Sequence, residues 1–237
     1  MNHSNKVELI DYMGSDKTHS LAAWASTYFE LGIDLPKDRK IRVDQIVDHI
    51  LNNSKRMRSI EDLLAFLAKE RHTSPFRFSS FMFGATTEIA THIQKLKHRI
   101  LLEAENGESA RYKELKDGKF YLPEDWKEYG EIGIYWYKKL EHVSLENNKL
   151  YSECLGDLVN AGMSKSRAKE SSRFFKMYNS QINTLNKLSF DGIVQFAAKR
   201  NIPEAQLEIR ELSRLMLEEV KNIPNDPFKY SLEAFNL

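Results

Sequence analysis

Between Phe78 and Leu102 the side-chain pattern changes period, which restricts the chain to folds holding both strand and helix. Phe78 to Phe83 is a short aromatic run, and Phe81 and Phe83, two positions apart, share one face of a strand. From Thr86 to Leu102 the residues Ile89, Ile93, Leu96 and Ile100 recur at helical spacing, which predicts a helix. The same succession occurs upstream. Val7 to Tyr12 alternates enough for a strand, Gly14 and Asp16 mark its end, and a helix follows around Ser20 to Glu30. After a Pro-containing charged loop near Leu35 to Lys40, Val43 to Leu51 and Ile60 to Lys69 read as helices, with Ser59 and Asp62 as an N-cap pair for the second. Lys119 to Leu122 reads as a short strand stopped by Pro123. Beyond Asp125 the pattern is mainly helical, broken near Gly162, Asn201 to Pro203, and Pro224. Ile209, Leu212, Leu215, Met216 and Val220 form the core face of a late helix. Nothing in the 237 residues reads as a repeat, a low-complexity tract or a linker, so one α+β domain over 1–237 is expected.

Composition narrows the function. With 35 basic against 34 acidic residues the net charge is +1, whereas a duplex-binding protein usually carries a basic excess. Nucleic acid is therefore not expected as the main partner, although a local basic pocket for a small phosphorylated ligand remains compatible. No run of about 18 apolar residues is present, so no membrane span is expected. Met1 to Lys6 is polar, and Cys154 is the single cysteine, so a reducing cytoplasm without disulfides is the expected setting.

On the predicted helix Thr86 to Leu102, Gln94 and His98 fall opposite the Ile/Leu stripe, with Lys97 and Arg99 on its flanks. Three cationic residues pointing three ways suit a bulky multi-phosphate cofactor or a site shared between subunits. A solvated basic face is the other reading of such a run. Asn106-Gly107-Glu108-Ser109-Ala110-Arg111-Tyr112 then collects a carboxylate, a hydroxyl, a guanidinium and a phenol in seven positions. Guanidinium, hydroxyl and backbone amides beside small residues suit a phosphate, while a turn carrying an Arg–Glu pair would look the same. The seven histidines show no metal-ligand spacing, and no metal is expected.

Lys97-His98-Arg99 followed by Glu108-Ser109-Ala110-Arg111-Tyr112 resembles the signature of the flavin-dependent thymidylate synthases. Val7 to Asp16, Ala22-Ala23-Trp24-Ala25-Ser26, His72-Thr73-Ser74-Pro75-Phe76 and Ala205-Gln206-Leu207-Glu208-Ile209 are similar to other segments of that family, in the same order. The resemblance implies a helix-rich α+β protomer with a small antiparallel sheet, assembled as a homotetramer. It implies that Ser26, His72, Ser74, Lys97, His98 and Arg99 hold FAD, with Ser189 and Gln195 where the family has asparagines near the flavin. Gln94, Lys97, Glu108, Ser109, Ala110, Arg111 and Arg173 would bind the nucleotide, Arg111 and Arg173 at its phosphate, and Arg200 would approach the uracil ring as the catalytic residue. The implied reaction is C5 methylation of a uridine nucleotide, dUMP to dTMP, with methylenetetrahydrofolate as carbon donor and NADPH as electron source.

Some positions depart from the family pattern. Lys97 stands for an arginine, Trp24 for another, Arg77 and Phe78 for a Glu-His pair, and the stretch Ile100 to Glu105 lacks the usual serine. These departures leave open methylation or hydroxymethylation of another nucleotide, such as UMP in a nucleoside-antibiotic pathway. A flavin- or nucleotide-binding scaffold without catalysis is the alternative of another class. Cys154 lies outside every matching motif and reads as a buried helix cysteine, not a nucleophile.

Overall fold

The computed structural model describes residues 4–32, 34, 37–39, 41–53, 58–98, 102–109, 111–115 and 118–237. Its elements are β1 (Lys6–Met13), α1 (Asp16–Ala23), α2 (Ala25–Leu31), α3 (Arg42–Asn53), α4 (Ile60–Lys69), a 3-10 turn (Ser74–Phe78), β2 (Ser80–Glu88), α5 (Ile89–Leu96) and β3 (Leu102–Gly107). A 3-10 turn (Glu124–Tyr129), α6 (Gly130–Asn160), α7 (Lys165–Ser172), a 3-10 turn (Arg173–Phe175), β4 (Gln181–Leu188), α8 (Phe190–Arg200), α9 (Leu207–Lys221) and α10 (Lys229–Ala234) follow. The strands form one antiparallel sheet in the order β1-β2-β4-β3. The helix-rich α+β architecture with a small antiparallel sheet is thus as expected.

The change of period falls later, and the helix is shorter, than the sequence suggested. β2 continues through Thr86 and Thr87 with alternating burial, and the chain turns helical only at Glu88, whose side chain accepts from the Thr91 N–H at 3.1 Å. That carboxylate caps α5, which ends at Leu96, while Ile100 lies outside the described residues. β3 begins at Leu102, the residue at which the predicted helix was expected to end. Phe78 belongs to the 3-10 turn, not to the strand. The helix expected from Ser20 to Glu30 is two helices parted at Trp24, whose ring is buried. Lys119 to Leu122 contributes only a bridge from Phe120 to Ser180, and β4 arises in a stretch read as helical.

The chain divides into two compact units. One comprises Met1–Lys6, Gly84–Lys97 and Glu105–Leu185. Its backbone is α6, 31 residues long and therefore about 46 Å. Tyr151 and Leu155 of α6 pack on Ala168 of α7, and the Tyr151 hydroxyl accepts from the Leu115 N–H at 3.0 Å. The other end of α6 shows solvent Ile132, Tyr135 and Trp136 at 63%, 55% and 53% exposure, an apolar display unusual for an isolated protomer. Lys95, 3% exposed, and His92 both contact Glu105 Oε1, at 3.2 and 3.1 Å. Burial and the Lys95 charge lower the His92 pKa and favour its neutral ring, so the charged pair taken out of water is Lys95 with Glu105, tolerable because the two are paired.

The second unit comprises Val7–Phe83, His98–Ala104 and Asn186–Leu237. Its core packs α3, α4, α8 and α9 around Phe76, Phe81, Phe83, Phe190 and Phe228. Fully buried among these rings is His19, with Nδ1 2.8 Å from Ser231 Oγ and Nε2 2.8 Å from Ser79 Oγ. Asp16 accepts from the Ser231 hydroxyl at 2.5 Å and from the Tyr230 and Ser231 N–H groups, tying α1 to α10. Gly14 ends β1 at φ +105°, and a Cβ there would come within 2.8 Å of Ser79 Cβ, so glycine is required twice over.

Candidate active site

Arg200 closes α8, whose first turn is capped by the buried Ser189 accepting from the Gly192 N–H at 3.2 Å. From that helix end its Nε donates to His98 Nε2 at 2.8 Å. A guanidinium cannot accept, so His98 must present a bare Nε2 and carry its proton on Nδ1. Burial, then the charges of Arg200 and Lys199, hold the His98 pKa below the usual imidazole range. The Phe196 ring stands edge-on to the imidazole at 5.2 Å. The sequence-predicted catalytic arginine and the central motif histidine are therefore a bonded pair. Gln195, one turn back on α8, spends its amide N–H on Asp191 at 2.9 Å.

In the same unit Ser26, His72 and Ser74 are exposed, on the first turn of α2, after α4 and at the start of a 3-10 turn respectively. In the first unit Lys97 is exposed as the C-cap of α5, and Gln94 is half-buried on that helix. The helical geometry that sent Lys97, His98 and Arg99 three ways does not hold. α5 ends before them at Leu96, its buried residues are Thr91 and Lys95 while Ile93 and Leu96 of the expected core stripe are exposed, and Arg99 lies outside the described residues. With α5 ending at Leu96, the directions of these side chains no longer imply a site shared between subunits.

The loop after β3 carries the second group. Glu108 is half-buried and accepts from Lys113 Nζ at 2.9 Å, from Asn183 Nδ2 at 2.9 Å and from the Asn183 N–H at 3.1 Å. Burial opposes its charge, yet these bonds outweigh it and hold the carboxyl below its usual range. Ser109 Oγ accepts from the Arg111 N–H at 3.3 Å, forming a tight turn. Arg111 is exposed, with Nε 3.3 Å from Glu170 on α7, and Lys169 of α7 donates to the Tyr112 carbonyl at 3.2 Å. Arg173 is exposed at the end of α7. α7 thus holds the loop with two side-chain contacts and places Arg173 at its own C-cap. Ala110 lies outside the described residues. Sequence reasoning missed Asn183, Lys113 and Thr86, which carry no motif.

The donor set suits FAD. Exposed imidazole and hydroxyl groups at His72, Ser26 and Ser74, all in one unit, are the kinds of donor that pyrophosphate oxygens accept from. Ser189 and Gln195 are occupied within α8, which leaves the Ser189 hydroxyl proton and the Gln195 carbonyl as what they could offer.

Comparison with known proteins agrees in family and fold. The family model for the thymidylate synthase complementing protein matches residues 8–224. A flavin-dependent thymidylate synthase of Tropheryma whipplei is 35% identical over 96 residues, 40% of this chain and 39% of that protein. The chain therefore spans well under half of that relative. Those of Clostridium tetani and Thermus thermophilus are 24% identical over 233 residues and 28% over 221, covering 95% and 91% of this chain and 86% and 71% of theirs. Among solved structures, a UMP/dUMP methylase, PolB, from Streptomyces cacaoi bound with 5-Br UMP superposes with a TM-score of 0.71 at 20% identity, covering 99% of this chain and 95% of that one.

Proposed function

This chain belongs to the thymidylate synthase complementing protein family, and from that premise we propose that it methylates C5 of a uridine nucleotide, dUMP to dTMP in the first instance. The observation that carries the reading is the Arg200–His98 pair: the arginine expected at the uracil ring is bonded to the histidine of the signature motif. FAD, methylenetetrahydrofolate and NADPH supply the redox and one-carbon chemistry.

The chain's own residues bind, orient and place charge. Arg111 and Arg173, both exposed guanidiniums, take the nucleotide phosphate, with Ser109, Gln94, Glu108, Lys97 and Ala110 completing the nucleotide set. Ser26, His72, Ser74, Lys97, His98, Arg99, Ser189 and Gln195 are the flavin set. Arg200 stabilises negative charge developing on the uracil oxygens and so raises nucleophilicity at C5, which needs no enzyme thiol. His98, neutral and accepting at Nε2, holds the guanidinium in place. Cys154 lies half-buried on α6, where its sulfur accepts from Ser172 Oγ at 3.5 Å, consistent with a packing role.

We take the 237 residues as one family domain, working in the cytoplasm as a homotetramer. Exposed Ile132, Tyr135 and Trp136 on α6 support an assembly. No helix among the described residues is long and apolar enough to cross a membrane. A second substrate, UMP, is favoured by the structural likeness to an enzyme crystallised with both 5-Br UMP and 5-Br dUMP. The test is product analysis after incubation with dUMP and UMP in parallel, with FAD, NADPH and methylenetetrahydrofolate. A 5-methylated nucleotide is expected from at least one, and its absence from both would refute the proposal.

A further inference from the structure

We propose that Asn183 is a positioning residue for nucleotide binding: its carboxamide, anchored by Thr86, aims the Glu108 carboxylate at the ligand. This rests on the reading above in which Glu108 belongs to the nucleotide set. Asn183 lies on β4, between β2 and β3 in the sheet, so it can reach a partner on either side. Toward β2, Thr86 Oγ1 donates to Asn183 Oδ1 at 2.7 Å. Toward the loop after β3, Asn183 grips Glu108 in three ways: Nδ2 donates to Oε1 at 2.9 Å, the backbone N–H donates to Oε2 at 3.1 Å, and the Asn183 carbonyl accepts from the Glu108 N–H at 2.9 Å.

Charge settles which way the amide faces. Turned over, it would set its carbonyl oxygen against a carboxylate and its NH2 toward a hydroxyl that can donate as well as accept. The observed orientation satisfies every partner. Counting lone pairs on Glu108 then defines what remains for a ligand. Oε1 already takes Asn183 and Lys113, whereas Oε2 takes one donor and keeps one acceptor direction. With 17% of its side chain exposed, Glu108 can receive one further donor. An acceptor-only anion repels phosphate and uracil carbonyls, so that donor is a sugar hydroxyl or the uracil N3–H. Lys113 also faces the carboxylate, and Lys119 and Lys176 line the same recess. The group whose protonation the pH series follows is Glu108, which its bonds to Lys113 and Asn183 hold below the usual carboxyl range.

The test is nucleotide binding to the FAD-loaded full chain, by calorimetry with dUMP and with UMP between pH 8 and pH 5. Each variant is expressed as a ratio to wild type, so that the ligand's own titration divides out. Asn183→Leu is expected to weaken binding about tenfold at pH 7.5, the scale of one hydrogen bond to a charged group. The ratio should widen as the pH falls, because Glu108 without its amide donor protonates earlier. Thr86→Val should act in the same direction but less, since it frees the amide without removing it, and it serves if Asn183→Leu does not fold. Glu108→Gln should weaken binding with a ratio flat in pH. A drop in melting temperature in both positioning variants with ratios that stay at one would make Asn183 purely structural and overturn the proposal. If Glu108→Gln binds like wild type, the proposal fails while the family activity stands. If wild type binds neither nucleotide, the functional reading fails and takes this inference with it.

Discussion

His19 gives the fold a built-in sensitivity to acid. Burial among Phe76, Phe190 and Phe228 pushes its pKa down to about 3, against 6.5 for an exposed imidazole. The folded chain therefore leaves this ring neutral where the unfolded chain protonates it. Below pH 6.5 the unfolded state binds the extra proton, so stability rises with pH across this window. The contribution is fully present above pH 6.5 and is lost progressively as pH falls toward 3. Each pH unit in that interval is worth about 1.4 kcal/mol, so about 2 kcal/mol is gone at pH 5 and about 5 kcal/mol at the lower limit. Against a typical total of about 5–15 kcal/mol, this one ring would bring unfolding into the mildly acidic range. Asp16 acts in the opposite sense, because burial outweighs its bonds to Ser231 and Tyr230 and raises its carboxyl. The comparison that isolates His19 is wild type against His19→Gln, whose amide keeps polar ends for Ser231 and Ser79 but does not titrate. Urea unfolding followed by circular dichroism at pH 7.5, 6 and 5 should show wild type losing about 2 kcal/mol more than the variant between the first and last. Parallel losses in the two proteins would refute the reasoning.

Arg200→Ala should lower turnover on the order of 10²–10³-fold with the fold intact, whereas Cys154→Ala should stay within a few-fold of wild type. Methylated product from dUMP and UMP is the readout, and a folded but dead cysteine variant with an active arginine variant would overturn the mechanism. Glu105→Gln strips the carboxylate from buried Lys95 and should cost about 3 kcal/mol in chemical unfolding; replacing Lys95 and Glu105 together by Met and Leu should recover most of it. Light scattering at micromolar concentration should report about four times 27.6 kDa, and an active monomer would contradict the assembly.

Elements whose buried faces are apolar were readable from sequence. α4 spans Ile60–Lys69 as expected, with Ser59 Oγ accepting from the Asp62 N–H at 3.1 Å, and β1 differs from its expected limits by a residue at each end. β4 was not readable because three of its buried positions hold Gln181, Thr184 and Asn186, which erase the apolar alternation that marks a strand. β3 was not readable either, since Leu102-Glu103-Ala104-Glu105 is helix-forming in composition. Tertiary pairing, not local preference, makes these two strands. At the site, motif spacing pointed to His98 and Arg200 but carried nothing about their mutual bond, which joins residues 102 positions apart. Asn183 gave no signal because a lone asparagine in a polar strand is commonplace until its partners are known. Ser189 shows the converse: its family position suggested a flavin contact, while locally it caps a helix.

The strand order has a bearing on how the chain comes to be folded. β2 and β3 follow one another closely in sequence, yet the strand between them is β4, which begins at Gln181. A chain still emerging from the ribosome holds β2 and β3 with unpaired facing edges until more than three-quarters of its length has been made. Strand edges in that condition invite pairing with other chains, and closing so long a loop is slow. The polar character of β3, which hid it in the sequence, also makes its waiting edge less inclined to stick.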